Sequence, residues 1–242
     1  FLNTRSRTMH PVLEHIISST LHVFYPHVCT GCGSDLLGDD NQLCLHCQHG
    51  LPHTGFAAIP DNPIEKQFWG RIPIEAGHSE FYFAKEFLLQ HLIHQLKYKG
   101  NQDIGKYLGE LTGMSLQNSA RFQTLDAIIP LPLYPEKERK RGYNQAAVIA
   151  EGISSVLNIP VINAVVIRSH ATETQTRKHR TERWENVNRS FRITDPQQLA
   201  GKHVLLVDDV ITTGATLEAC GEVILETPSS KLSIATLAYA PK

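Results

Sequence analysis

Apolar and polar residues follow two different rhythms along this chain of 242 residues. From about residue 72, short apolar runs such as "DAIIPLPL" and "HVLLVDDV" are separated by segments whose apolar residues recur at helical spacing. Continuous apolar runs between helical segments are typical of strands that are buried on both faces of a parallel sheet. The pattern therefore predicts an α/β fold over residues 71–242, in which a mostly parallel sheet is flanked by helices.

Strand-like and helical segments alternate through this predicted domain. Strands are expected at "IEAGHSEFYF", "LDAIIPLPL", "VINAVVIR", "KHVLLVDDV" and "KLSIATLAYA". Helices are expected over "KEFLLQHLIHQLKYKG", from about Tyr143 to Leu157, and from Thr216 to Glu226. Ligands of open parallel sheets bind at the carboxyl ends of the strands, so the end of "KHVLLVDDV" is a predicted binding position.

Residues 10–70 have a different character and are predicted to form a separate N-terminal part. Apolar residues at positions 12, 13, 16, 17, 21 and 24 predict one amphipathic helix, close to Met9 as a candidate start residue. A cysteine-rich segment follows it. The stretch "LPHTGFAAIPDNPIEKQFWGRIP" is rich in proline and glycine without clear periodicity, which predicts a linker and a domain boundary near residue 70.

Composition narrows the possible classes of protein. With 41% hydrophobic residues the chain can bury a substantial core, and its net charge of -1 provides no global attraction to nucleic acid or anionic membranes. Any such binding must come from a local cluster of charge. No apolar run reaches eighteen residues, and polar residues interrupt the N-terminal apolar runs, so we expect a cytoplasmic protein without a membrane span.

Four of the five cysteines form a paired C-x-x-C arrangement, Cys29, Cys32, Cys44 and Cys47. Each C-x-x-C places two thiolates on one tight turn, and two such turns can close a tetrahedral shell around zinc. Disulfides are the alternative, which a reducing cytoplasm disfavours, and His46 is an alternative ligand. Four cysteines leave no open position for chemistry, so the predicted zinc is structural. The fifth cysteine, Cys220, is predicted to be an ordinary buried thiol.

The stretch "VLLVDDVITTGAT" carries the clearest candidate chemistry. Val204 to Val207 are predicted to form a buried strand, with Asp208 and Asp209 emerging from its end. The following turn and helix start, Thr212, Thr213, Gly214, Ala215 and Thr216, offers backbone N–H groups and hydroxyls that suit a phosphate. The carboxylates suit hydroxyl groups or a magnesium ion, so the predicted ligand carries a phosphate close to a polyol.

Two other interpretations of this stretch compete with the phosphate site. An apolar strand that ends in acidic residues is also typical of a Walker B element, but the chain contains no G-x-x-x-x-G-K-[ST] sequence. The acidic and hydroxyl residues could also be plain turn and helix-capping residues. The coincidence of two carboxylates, one glycine and three threonines within nine residues favours a ligand site.

"VLLVDDVITTGAT" resembles the signature of type I phosphoribosyltransferases, which bind 5-phosphoribosyl-1-pyrophosphate (PRPP). The resemblance implies that Asp208 and Asp209 hold the ribose 2′- and 3′-hydroxyls, that the next loop holds the 5′-phosphate, and that magnesium accompanies PRPP. "LKYKG" (96–100), "IIPLPLYPEKERKRGYNQA" (128–146), "TETQTRKHRTERWENVNRSF" (172–191) and the cysteine segment are similar to the ComF family of bacterial competence proteins. That similarity implies a role in natural transformation or in the use of DNA that has been taken up.

Two basic segments have more than one interpretation. Lys137, Arg139, Lys140 and Arg141 lie in a predicted loop that would either stabilise the pyrophosphate leaving group or contact DNA phosphates, beside tyrosines that can stack on bases. The loop could also be an ordinary solvated charged loop, because Glu136 and Glu138 dilute its positive charge. Residues 172–191 would form either a flap over the sugar or a nucleic-acid arm. Within them, Arg183 and Asn186 match the family's R-x-x-N pattern.

Three functions follow as hypotheses. In the first, the chain is a phosphoribosyltransferase with an acceptor that the sequence does not reveal. In the second, it is a binding module that holds a phosphoribosyl or nucleotide-like ligand and binds single-stranded DNA. The third hypothesis is an adaptor that docks other competence proteins. A glutamine-dependent amidophosphoribosyltransferase is not expected, because the chain lacks an N-terminal cysteine nucleophile and a glutaminase-sized domain.

Overall fold

The structure is a computed structural model that describes residues 28–35, 37, 41–83, 87–168 and 190–241. The predicted N-terminal helix and the residues Arg183 and Asn186 lie outside these ranges. The chain divides into two compact units, Phe1–Gly50 and Leu51–Lys242. In the described part of the chain, no helix is long and apolar enough to cross a membrane.

The described part of the first unit is a short cysteine-containing segment. It holds one helix, α1 (Leu45–His49), which begins directly after Cys44 and ends before Gly50. Cys29 and Cys47 are buried, whereas Cys32 is exposed.

The second unit is built around a four-stranded parallel sheet. Its strands are β1 (Ala76–Tyr82), β2 (Ala127–Pro130), β5 (His203–Ile211) and β6 (Lys231–Tyr239), in the order β1-β6-β5-β2. All three pairings are parallel, which confirms the predicted sheet. The two central strands, β5 and β6, are buried along almost their whole length, as their continuous apolar runs predict.

Helices cover the sheet and are joined to it by short connections. They are α2 (Pro63–Phe68), α3 (Phe87–Tyr98), α4 (Gln102–Gln117), α5 (Pro135–Arg141), α6 (Gln145–Leu157) and α7 (Ala215–Leu225). The three predicted helices correspond to α3, α6 and α7 and are confirmed. Short 3₁₀ turns lie at Phe56–Ala58, Ala120–Phe122 and Pro196–Gln198.

Helix α4 was not among the predicted elements. Its glycines, at positions 105, 109 and 113, lower intrinsic helix propensity and obscure the apolar spacing. The same glycines allow α4 and α6 to pack very closely. A Cβ at Gly109 would lie 2.3 Å from the Ile149 carbonyl oxygen, and one at Gly152 would lie 2.1 Å from the Lys106 carbonyl oxygen.

The predicted strand "VINAVVIR" is wrong as a strand of the main sheet. Val161 makes an isolated parallel bridge with Ile128, and only β3 (Val166–Arg168) is a strand. It pairs with β4 (Phe191–Ile193) in a separate antiparallel sheet. The chain changes direction because Ala164 has a φ of 62°, a left-handed conformation that interrupts an extended run.

Residues 51–70 belong to the second unit, which differs from the linker and boundary predicted near residue 70. Phe56, Ile64 and Phe68 are buried in its core, and the Thr54 N–H donates to the Glu80 carbonyl oxygen at 2.9 Å. Asn62 caps α2 and donates from Nδ2 to the Gly77 carbonyl oxygen at 2.8 Å. The segment lacks periodicity because its helix is only six residues long, and tertiary contacts rather than repeats hold it in place.

Candidate functional site

The acidic pair lies within β5. The strand continues to Ile211, and Asp208 is in register with Thr236 of β6. This differs from the predicted strand end at Val207, because β6 runs alongside as far as Tyr239 and supplies partners for the longer ladder. The Asp209 N–H donates to Asp208 Oδ1 at 2.8 Å, which ties the two carboxyl-bearing residues together.

A lysine that the sequence did not single out pairs with the second aspartate. Lys97 Nζ lies 2.8 Å from Asp209 Oδ2, and the two side chains are only 22% and 7% exposed. Lys97 is near the end of α3, inside the "LKYKG" segment. That segment contributed to the family resemblance, but the sequence did not indicate what Lys97 does.

The electrostatics of the pair favour a bound cation or hydrogen-bond donor. Burial, and next the neighbouring charge of Asp209, raise the pKa of Asp208 above its ordinary value. The positive charges of Lys97 and Arg168 act in the opposite direction. Two adjacent carboxylates are costly to ionise together in a partly buried site, and a cation or a diol that donates to them relieves this cost.

The predicted phosphate loop leads into α7. Gly214 is the residue before the helix and has a φ of 72°, while Thr212 and Thr213 are exposed. A Cβ at Gly214 would lie 3.0 Å from Phe68 Cζ, so both the backbone conformation and the close approach of Phe68 require glycine. The first N–H groups of α7 have no acceptor within the helix, and the positive end of the helix dipole is directed toward this loop.

Arg71 lies in the segment that was predicted to be a linker, and its hydrogen bonds hold this loop in place. Its Nη1 donates to the Thr213 carbonyl oxygen at 3.0 Å and to the Gln67 carbonyl oxygen at 2.9 Å. Its Nε donates to Glu218 Oε1 at 2.8 Å, and a second ion-pair contact joins Nη2 to Glu218 Oε2. No motif in the sequence signalled Arg71, because its partners Glu218 and Thr213 lie more than 140 positions away.

The "GYNQ" residues connect α3 and β2 to the start of α6. The Tyr143 hydroxyl donates to the carbonyl oxygen of Leu96, the residue before Lys97. Asn144 caps α6 by accepting from the Ala146 N–H at 3.0 Å, and its Nδ2 donates to the Leu131 carbonyl oxygen at 3.0 Å. These contacts fix the position of Lys97 relative to the carboxyl end of β2.

The basic loop after β2 contains helix α5, which differs from the irregular loop that was predicted. Pro135 occupies its first turn, acidic residues precede basic ones, and Gly142 ends it with a φ of 88°. Arg139 is exposed. Arg141 donates to Gln145 Oε1 and lies over the Tyr98 ring at 5.7 Å, so it is tied to the protein, whereas Arg139 extends into solvent.

The four N-terminal cysteines come together as one cluster. Their Sγ atoms all lie within 4.8 Å of one another, and Cys32 Sγ and Cys44 Sγ are 3.7 Å apart. A tetrahedral zinc–thiolate site has S···S separations of about 3.8 Å, from Zn–S bonds of about 2.3 Å. His46 is exposed and is not part of the cluster.

The cysteines of the cluster differ in the pKa of their thiols. Burial alone would raise the pKa of Cys29, but backbone N–H groups, including that of Cys44 at 3.2 Å from Sγ, lower it to about 6. Cys47, by contrast, has a raised pKa because of burial and the neighbouring thiols. Such a cluster needs a cation before all four sulfurs can ionise together. Outside it, Cys220 is fully buried in the core, which confirms its prediction as an ordinary thiol.

Comparison with known families defines the class of this protein. The phosphoribosyl transferase domain family matches residues 144–242, which include the acidic pair and the loop before α7. The second unit is therefore a phosphoribosyltransferase-type domain, in agreement with its parallel sheet and flanking helices.

Three relatives extend the similarity over most of the chain. Competence protein F of Haemophilus influenzae is 29% identical over 225 residues, covering 91% of this chain and 93% of its own. The DNA utilization protein YhgH of Escherichia coli K12 is 28% identical over 86% of this chain and 88% of its own. Competence protein ComFC of Bacillus subtilis is 24% identical over 82% and 78%. The chain is therefore similar over most of its length to these competence and DNA utilization proteins, and residues 144–242 match the phosphoribosyl transferase domain.

Proposed function

We propose that this protein binds PRPP, or a closely related phosphoribosyl ligand, together with Mg²⁺ at the carboxyl end of β5. The observation that supports this most directly is the arrangement of Asp208, Asp209 and Lys97 beside a glycine-led helix start. Carboxylates suit a diol or a magnesium ion, and the helix start suits a phosphate. A phosphorylated sugar presents both groups within a few ångströms of each other.

In this proposal the protein's own groups orient the ribose. Asp208 and Asp209 accept hydrogen bonds from the 2′- and 3′-hydroxyls, and Lys97 balances the charge that burial makes costly. The side chains of the acidic pair would also hold Mg²⁺, which supplies positive charge to the diphosphate when it is bound. The 5′-phosphate accepts from backbone N–H groups and hydroxyls of residues 212–216.

The reaction that this geometry supports is displacement at the ribose C1 atom. An acceptor nucleophile forms a bond to C1 while the C1–O bond breaks, and diphosphate leaves with the bonding electron pair. Positive charge develops on the ring in the transition state, as in glycoside hydrolysis. Carboxylates near the ring and cations near the leaving group stabilise these opposite charges.

Calorimetric titration with PRPP and with ribose 5-phosphate, both in magnesium, tests the site. The double variant Asp208→Asn plus Asp209→Asn is expected to lose both ligands by more than about tenfold, since it removes charged acceptors for two hydroxyls. Asp103→Asn, at an exposed position in the first turn of α4, is the matched control and keeps wild-type affinity. Unchanged affinity in the double variant with a normal melting temperature would place the ligand elsewhere.

The relatives are named for competence and DNA utilization, and we propose a role for this chain in the uptake or use of DNA. A second candidate function, binding of single-stranded DNA, is favoured by α5, where Lys137, Arg139 and Lys140 are all exposed on one short helix. Replacing these three by Gln is expected to weaken DNA binding and to reduce its salt dependence. Salt-independent or absent DNA binding in the wild-type protein excludes this function.

The cysteine cluster is proposed to hold one structural Zn²⁺. The four sulfurs lie within 4.8 Å of one another, close enough to surround one ion, and the lowered pKa of Cys29 favours the thiolate that such an ion requires. With four protein ligands, no position remains for a reacting group. Zinc would therefore stabilise the first unit and take no part in chemistry at β5.

A further inference from the structure

A groove lies on the second unit beside Trp69, and we call it the Trp69 groove. It is lined by part of the 60–75 segment and by Arg121, and its volume is about 550 Å³. Its walls are formed by apolar side chains, two of them exposed prolines: Pro60, Phe68, Ile72, Pro73 and Ile74. The acidic pair of β5, Lys97 and the loop before α7 are not among the lining residues, so the groove is distinct from the candidate site.

Trp69 is the largest apolar side chain at this groove, and it is 60% exposed. It directly follows α2, and Lys66 Nζ lies 5.8 Å from the centroid of its ring. Ile59, next to Pro60 in the chain, is also exposed. Exposed apolar patches with a charged rim are typical of surfaces that bind another protein, and tryptophan is enriched at the centre of such surfaces. Trp69 therefore indicates a binding surface.

The two arginines that line the groove already have carboxylate partners. Arg71 Nε donates to Glu218 Oε1 at 2.8 Å, and Arg121 Nη2 lies 2.6 Å from Glu65 Oε1. The side chains of both glutamates are more than nine-tenths buried, so each pair is well shielded from water. Because both guanidiniums are neutralised in place, they offer little attraction to a phosphate or to a nucleic acid.

Two carboxylates at the same groove remain accessible. Asp61 is exposed, and among the described residues no cation lies within ion-pair distance of its carboxylate. Glu75 pairs only loosely with Lys231, at 3.5 Å, and both of these residues are exposed. The groove therefore combines an exposed aromatic ring with negative charge, which favours a cationic partner and disfavours a polyanion.

We propose that the Trp69 groove binds a basic, extended segment of a partner protein. Arginine or lysine side chains of that segment lie against the Trp69 ring and pair with Asp61 and Glu75, while its apolar side chains contact the groove walls. Arginine suits this surface best, because a planar guanidinium stacks on an indole and pairs with a carboxylate through its edge. The inference is independent of the function proposed above, because no residue proposed to contact the sugar or its phosphates lines the groove.

Calorimetry of the whole chain with an acetylated and amidated hexaarginine peptide tests this surface. Hexaglutamate is the anionic peptide probe, and hexathymidylate is the nucleic-acid probe. Hexaarginine is expected to bind, and its affinity should fall as salt is raised. In a Trp184→Phe background Trp69 is the only tryptophan of the chain, so quenching of its fluorescence reports on the groove itself. Hexaarginine should quench this fluorescence, and the two anions should leave it unchanged.

Three variants of the groove make separate predictions. Trp69→Ala is expected to weaken hexaarginine by about twofold to tenfold, because it removes the aromatic face for the cation. Asp61→Asn plus Glu75→Gln should weaken the peptide by a similar factor and reduce the salt dependence. Asparagine tolerates the left-handed backbone at position 61, where φ is 54°. Lys66→Met should strengthen binding by about twofold, because it removes a cation that competes for the ring.

Two controls measure the effect of losing an exposed ring or carboxylate elsewhere. Tyr98→Ala removes a ring that is 67% exposed, and Asp103→Asn removes an exposed carboxylate in α4. Both variants should bind hexaarginine as the wild type does. Asp208→Asn plus Asp209→Asn should also keep its affinity for hexaarginine, so failure of the phosphoribosyl site and failure of the Trp69 groove are distinguishable.

Several results would overturn the proposal. Hexaarginine does not bind the wild type, or Trp69→Ala and Tyr98→Ala weaken it equally. Quenching of Trp69 by hexathymidylate or hexaglutamate means that the groove binds anions. Self-association in analytical ultracentrifugation that Trp69→Ala abolishes means that a second copy of this chain covers the groove. Where Trp69→Ala does not fold, Asp61→Asn plus Glu75→Gln decides the question, because both positions are exposed.

Discussion

Arg71 is expected to link the stability of the second unit to the order of the phosphate loop. Its guanidinium contacts Glu218 in α7, the Thr213 carbonyl oxygen in the loop and the Gln67 carbonyl oxygen in α2. The Glu218 side chain is only 7% exposed, and that of Arg71 is 24% exposed. Replacing Arg71 by Met therefore leaves a buried carboxylate without its cation and frees one end of the loop.

The size of the effect follows from these contacts. Breaking a buried ion pair by removing one partner costs about 3–5 kcal/mol, and the partial exposure of Arg71 places this case near the lower end, about 3 kcal/mol. Removing the Glu218 charge as well, in Arg71→Met plus Glu218→Gln, should recover about half of that loss, because no charge is then left unpaired. Affinity for ribose 5-phosphate should fall in both variants, since the loop loses its anchor at Thr213.

Urea unfolding of the wild type, the two single variants and the double variant gives the stability cycle, and calorimetry gives the affinities. Lys231→Met is the control, because the Lys231–Glu75 pair is 3.5 Å long and its side chains are 61% and 49% exposed. It should cost less than about 1 kcal/mol. Additive single effects, with no coupling between Arg71 and Glu218, would refute the buried pair. Unchanged ligand affinity would refute the anchoring of the loop.

Three further predictions concern the cysteine cluster, the helix contact and the edge strand. Cys29→Ser should lose bound zinc, measured by atomic absorption and by proteolysis of residues 28–50, because metal binding supplies folding free energy in such clusters. Gly152→Ala should destabilise the second unit by about 1–3 kcal/mol in urea, since its Cβ would lie 2.1 Å from the Lys106 carbonyl oxygen. Glu80 is 2% exposed; burial alone would raise its pKa, but hydrogen bonds from His53 and His78 lower it to about 2, from an ordinary 4.5. Its contribution is therefore present above pH 4.5 and lost as the pH falls toward 2, so Glu80→Gln should cost roughly 2–3 kcal/mol at pH 7 and flatten the acid limb of the stability curve.

Each of these has an outcome that contradicts it. Full zinc retention in Cys29→Ser, against a Cys220→Ser control, would rule out a four-cysteine shell. A Gly152→Ala protein as stable as the wild type would show that α4 and α6 can separate without cost. An unaltered pH dependence in Glu80→Gln would mean that another carboxyl group governs the acid limb.

The sequence by itself determined the class of the fold and located the candidate ligand site toward the carboxyl end of β5. Continuous apolar runs such as "HVLLV" predict a strand buried on both faces, because every side chain must then leave water. The two carboxylates, the glycine and the threonines of the following turn are adjacent in the chain, so their convergence is a local property. Each C-x-x-C pair is also a local feature, because its two cysteines lie on one tight turn.

Only the tertiary structure decided which distant groups lie beside the acidic pair and the loop before α7. Lys97 comes from a helix and Arg71 from a segment without periodicity, and neither is near its partner in sequence. Their positions depend on long-range contacts, such as the hydrogen bond from Tyr143 to the Leu96 carbonyl oxygen. A local sequence pattern cannot predict these contacts, because it does not show which distant residue will lie next to a given lysine or arginine.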